Sequence, residues 1–142
     1  MKKTLFTLAL LLFITQANAQ SIFGKWENLN EETKEVDSVI EVYEENDKVY
    51  AKIIAITDAT RQKAVCEKCS GDKKNKPILG MQILSGLQKD GDQWNGGTIV
   101  DPKNGKEYKC YIKLEEPNKL KVRGYIGFSA MGRTKYWYRK DS

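Results

Sequence analysis

The sequence predicts an all-β fold, a small antiparallel closed barrel of about eight strands. Three observations carry this. After residue 20, apolar and polar residues alternate with period two, as half-buried antiparallel strands require. Clusters of Gly, Pro, Asn and Asp interrupt that alternation roughly every eight to twelve positions. No segment shows the 3.6-residue apolar spacing of an amphipathic helix. Closing such strands into a barrel leaves no exposed sheet edge, and a two-sheet sandwich is the alternative.

The chain has 142 residues, and its start reads as an address rather than as fold. Lys2 and Lys3 are followed by an apolar run over residues 5–14 in which only Thr7 is polar. Ala17-Asn18-Ala19 then supplies the small residues of a signal-peptidase site. The apolar run is shorter than the about 20 residues of a membrane span, and no later segment is longer. The sequence therefore predicts a signal peptide over 1–19 and a single domain over 20–142, exported to the periplasm or beyond.

The strands follow in order over 21–28, 36–44, 48–57, 80–88, 93–100, 107–115, 120–126 and 134–140. The clearest is 107–115. Tyr108, Cys110, Ile112 and Leu114 share one face, and Lys109, Tyr111 and Lys113 share the other. Pro117-Asn118 turns the chain into the next strand, where Leu120, Val122, Gly124 and Ile126 alternate with Lys121, Arg123 and Tyr125. Gly96 and Gly97 fall inside a strand, which marks a bend or bulge. Asp101-Pro102-Lys103-Asn104-Gly105 reads as a turn closed by a left-handed glycine. Residues 58–77 break the spacing with a long, polar, Lys-rich connection, and long loops are where function concentrates.

Composition excludes several chemistries. There is no histidine, so Ser-His-Asp and Cys-His catalysis and His-ligated metal sites are out. Without Lys2 and Lys3 the formal charge falls from +5 to +3, too weak to predict nucleic-acid binding. The charge is uneven, however. Acids crowd residues 20–47, whereas 119–140 holds only basic charges, which reads first as solvated strand faces.

Of the three cysteines, Cys66 and Cys69 form a C-x-x-C and Cys110 lies on a strand. Export predicts a disulfide, and three pairings satisfy the count: 66–69, 66–110 and 69–110. A redox role needs a thiol at a helix N-terminus, and no helical pattern follows Cys66. A zinc site needs four ligands, and this set falls one short. Asp90, Asp92 and Asp101 read as turn formers rather than as an acid–base pair.

Two groups of residues remain. Trp26 on the first strand and Arg139 on the last become neighbours if the barrel closes, so their stacking is expected to be structural. The candidate ligand contacts are Trp94, Tyr108, Arg123, Tyr125 and Arg133, with the two arginines placed to clamp an anion.

The start Gly24-Lys25-Trp26 with a late Arg resembles the lipocalin and related small-barrel pattern. The string Trp94-Asn95-Gly96-Gly97-Thr98-Ile99 through Asp101-Pro102-Lys103-Asn104-Gly105-Lys106 is followed by Val122-Arg123-Gly124-Tyr125-Ile126-Gly127. Gly132-Arg133-Thr134-Lys135-Tyr136-Trp137-Tyr138-Arg139 completes it. In this order they resemble the bacterial exported family called domain of unknown function 2147. The resemblance spans nearly the whole chain after the leader. It implies a lipocalin-like barrel in the cell envelope and no activity. Many members lack the C-x-x-C, which argues against a family-wide role for Cys66 and Cys69.

These readings predict a non-catalytic barrel that binds a small apolar or anionic ligand in the envelope, without cofactor or metal. A structural or protein-interaction module of the envelope is the alternative, and a thiol-redox or hydrolytic enzyme the third. The expected partners are a small molecule or an envelope protein, with no nucleic acid and no membrane span.

Overall fold

The period-two alternation becomes eight antiparallel strands, each hydrogen-bonded to the next. In the computed structural model, which describes residues 21–140, they are β1 (Gly24–Leu29), β2 (Val36–Glu45), β3 (Lys48–Ile56) and β4 (Gln82–Asp90). Then follow β5 (Gln93–Asp101), β6 (Lys106–Glu116), β7 (Lys119–Tyr125) and β8 (Gly132–Arg139). β8 returns to β1 and closes the barrel. The leader expected over 1–19 lies outside the described residues. Single 3-10 turns at Ala59–Arg61 and Gly71–Lys73 are the helical content of the long β3–β4 connection.

The two ends of the barrel differ. At one end, two residues suffice for each hairpin: Asn46-Asp47, Gly91-Asp92 and Pro117-Asn118. Asn46 and Asp47 both take positive φ, 52° and 63°, the backbone of the tight hairpin turn that follows strand twist. At the other end the connections are longer, over 30–35, 57–81, 102–105 and 126–131.

The tight end is plugged. Trp26 is fully buried, and its indole Nε1 donates to the Ile22 carbonyl at 2.9 Å. The Arg139 guanidinium lies over the ring, 4.3 Å from its centroid. It also donates to the carbonyls of Ser21 (2.6 Å), Phe23 (3.4 Å) and Pro117 (3.1 Å). One cation thus closes the ring face and ties the N-terminal segment to the β6–β7 turn. β1 begins at Gly24 rather than at residue 21 because Ile22 leaves the ladder to fill this plug, at 1 % exposure. Above Trp26 the core continues through Ile40, Leu84, Leu87, Ile112 and Leu120, all essentially buried. Each such aliphatic side chain stabilises the fold by about 1.5–3 kcal/mol.

The glycines inside β5 mark a bulge. Pairing with β6 shifts register between Trp94 and Gly97, and Gly96 takes a φ of 82°. At Gly97 a Cβ would stand 2.2 Å from the Ser85 carbonyl oxygen on β4, so the strands meet there only because the side chain is absent.

Two substitutions test this frame by urea unfolding. Trp26→Ala is expected to cost about 3–5 kcal/mol, and Gly97→Ala about 1–3 kcal/mol through overpacking against backbone. A Trp26→Ala protein as stable as the parent would refute the plug.

Candidate functional site

The long connections surround a cavity of about 640 Å³ that opens at their end of the barrel. That size lies within the about 300–1,000 Å³ typical of ligand pockets. Its deep wall is aliphatic and aromatic: Ile40, Ile53, Ile83, Ile99, Val122 and Trp137. These come from six strands by the inward half of the period-two alternation. Ile56 and Ile78 extend the wall toward the mouth. Gly124 keeps the passage wide, since a Cβ there would touch Ile99 and Tyr108 at 3.5 Å.

The mouth is cationic and partly neutralised. Arg61, Lys103, Arg133 and Lys135 line it, with Asp37 and Asp101. Lys103 pairs with Asp37 at 3.6 Å. Arg133 and Lys135 both reach Glu31 on the β1–β2 loop, at 2.8 and 3.8 Å. Among the described residues Arg61 makes no ion pair. It ends the short Ala59–Arg61 turn, which Asp58 caps by accepting from Thr60 N and Oγ1 at 2.9 and 2.6 Å. Those hydrogen bonds hold the Asp58 carboxyl below its usual range. Among the described residues, no three His, Cys, Asp or Glu side chains gather as a metal-binding group.

The five residues expected to touch a ligand separate into two groups. Tyr108, Tyr125 and Arg133 border the cavity. The Tyr108 hydroxyl accepts from Asn104 Nδ2 at 3.0 Å, and the Tyr125 ring packs beside Tyr111 at 6.4 Å between centroids. Trp94 and Arg123 lie away from it. Trp94 pairs with Ile112 and Lys89 toward the plugged end, where it packs on the core. Arg123 faces out by strand alternation and spends its donors on the β7–β8 loop, at the carbonyls of Ser129 (2.6 Å) and Ala130 (3.3 Å), and on its β8 neighbour Thr134 Oγ1 (2.7 Å). The expected clamp of Arg123 with Arg133 is therefore replaced by a loop anchor on one side and a Glu31 ion pair on the other. Arg61 and Lys103 escaped the sequence reading because only folding brings 57–81 and 102–105 to one mouth. The Asp58-Ala59-Thr60 capping pattern was the one local signal at Arg61.

Residues 24–139 match the family model described as an uncharacterized protein conserved in bacteria (DUF2147). The chain belongs to this family. A search of curated proteins finds no match. Among solved structures, protein HP1028 from the human pathogen Helicobacter pylori, described as belonging to the lipocalin family, is similar with a TM-score of 0.73. The two share 22% identity over 85% of this chain and 84% of that one. At that identity the likeness establishes the fold, and the DUF2147 barrel described above is lipocalin-like.

The cysteines resolve to one of the three pairings. Cys66 and Cys69 are bonded, and Cys110 is free. The bridge closes a turn at the tip of a small hairpin, in which Cys66 N donates to the Lys76 carbonyl at 2.9 Å and Asn75 N to the Cys66 carbonyl at 2.8 Å. That turn presses on the β5–β6 turn so closely that a Cβ on Gly105 would stand 2.0 Å from the Lys68 carbonyl oxygen. Both bridged cysteines are buried, at 0 and 3 % exposure, so an external thiolate has no path to the sulfurs. Burial pushes the Cys110 thiol up to about 12.

Because the folded thiol keeps its proton to higher pH than the unfolded one, the linked stability is fully present below pH 9 and lost as pH rises toward 12. A comparison with a variant that lacks the thiol isolates its contribution, so the signature is a difference. The stability gap between the parent and Cys110→Ala is expected to shrink from pH 8 to pH 11 in thermal unfolding. A gap that stays constant would mean that Cys110 ionises in the folded state. Gly105→Ala should destabilise at all pH, by about 1–3 kcal/mol.

Proposed function

We propose that this DUF2147 protein is a non-catalytic binding protein whose open-end cavity holds a small amphiphile, an apolar body with an anionic group. The observation that carries this reading is the cavity itself: a deep aliphatic wall under a cationic mouth. Apolar walls with a few placed polar groups are the usual make-up of a ligand pocket. The body of the ligand gains from burial against Ile40, Ile53, Ile83, Ile99 and Val122. The anionic group is taken by Arg61, whose guanidinium is in direct ion-pair contact with no carboxylate among the described residues.

Export to the cell envelope is part of the proposal. The basic start, the apolar run and Ala17-Asn18-Ala19 support it. So does the Cys66–Cys69 bridge, since such bonds persist in oxidising compartments. Intact mass of the protein from its native host should correspond to a chain beginning at Gln20 and lacking two hydrogens. A mass that retains residues 1–19 would overturn the cleavage.

The binding reading is tested with a fluorescent fatty acid and the matching fatty alcohol. The acid is expected to saturate at one site per chain. Arg61→Gln should weaken it by roughly three- to tenfold while changing the alcohol little. Failure of both probes to saturate would reject the cavity as a binding site. An equal loss for both would reject Arg61 as the anion anchor.

A further inference from the structure

The β7–β8 loop, residues 126–131, presents Ile126, Phe128 and Met131 to solvent at 68, 77 and 71 % exposure. Three large apolar side chains on one short connection are far from the scattered single exposures normal for a protein surface. The loop is also held in shape. Arg123 donates to the carbonyls of Ser129 and Ala130 from below, and Met131 N donates to the Phe128 carbonyl at 2.9 Å. Gly132 lets the loop return tightly, because a Cβ there would stand 2.3 Å from the Gly124 carbonyl oxygen. The fold thus fixes the backbone of a projection whose large apolar side chains stay mostly exposed.

We propose that this loop docks the open end of the barrel onto an anionic lipid bilayer, with Phe128 entering the interface. Two features select a bilayer over a protein surface. First, the loop is too small for a stable protein interface, which takes about 800 Å² per partner with matched shape, whereas a bilayer needs only apolar area and opposite charge. Second, the charge is present. The β3–β4 connection shares the cavity mouth with the loop through Arg61 and Ile78. Between residues 61 and 76 it carries Arg61, Lys63, Lys68, Lys73, Lys74 and Lys76 against Glu67 and Asp72. Most of those lysines are exposed, and basic side chains near an anionic surface add favourable binding within a Debye length. Ile126 and Met131 belong both to the loop and to the cavity lining, so docking opens the cavity toward the acyl region. The docking stands whether or not the cavity is filled.

The test is co-sedimentation of the chain over 20–142 with vesicles of phosphatidylcholine, with and without phosphatidylglycerol. Binding is expected to the anionic vesicles and to fall with added salt. Phe128→Ser should weaken it by at least roughly tenfold and leave the melting temperature unchanged, since that side chain is exposed. Affinity for a soluble fluorescent fatty acid, measured without vesicles, should also be unchanged, because Phe128 does not line the cavity. Absence of binding to anionic vesicles, or equal binding by Phe128→Ser, would overturn the docking and leave the cavity reading standing. A dimer in analytical ultracentrifugation that Phe128→Ser dissolves would place a second copy on the loop and overturn it as well.

Discussion

The barrel rests on one short seam. β1 meets β8 through three residue pairs, Trp26 with Arg139, Glu27 with Tyr138 and Asn28 with Trp137, whereas most neighbouring strands pair over longer stretches. All three pairs lie at the plugged end, directly beside the Trp26–Arg139 stack. Above Asn28, β1 bulges and turns away, and the upper part of β8 has no β1 partner. Glu31 bridges the gap through Arg133 and Lys135 instead. A seam that closes at one end and parts at the other makes the two ends of the molecule unequal. The core fills the joined half, and the cavity occupies the parted half.

The cavity then depends on how the long connections are held, since backbone that arches over an opening lacks a ladder to satisfy it. Each connection has its own fastening. The 57–81 segment returns bonds to Ile53 through Gly80 and Met81, and carries the buried bridge against Gly105. The 126–131 loop is held by Arg123. The 30–35 loop is fixed by the Asn30 side chain, which accepts from Glu32 N and Thr33 N at 2.9 and 3.0 Å. These fastenings are local, so the mouth is shaped by polar contacts while the body is shaped by apolar burial. An apolar ligand and an apolar membrane face both suit an end of the protein built in this way.

Much of the fold was legible because strand alternation is a local property. Cys110 and Ile112 face inward and Lys109 and Lys113 outward, as their spacing alone requires. The stacking of Arg139 on Trp26 needed only the inference that first and last strands meet. The site was less legible. Tyr108 and Arg133 border the cavity, but Trp94, on the inward face of β5, lies at the wrong height. Periodicity tells which face a side chain takes and not how far along the barrel axis it sits, because stagger between strands sets that. Arg123 was legible as a basic group on an outer face, but two of its three acceptors, Ser129 and Ala130, belong to a loop whose path no alternation describes. Arg61 carried no period at all.

The sequence by itself determined the strand number, the inward and outward faces, the tight hairpins and the pair that seals one end. Each depends on residues a few positions apart or on the first and last strands meeting. Only the tertiary structure decided which cysteines bond, which end stays open, and which cations stand at its mouth. Those outcomes depend on distances between segments far apart in the chain. The closing geometry of the barrel sets such distances, and no local pattern of residue types encodes it.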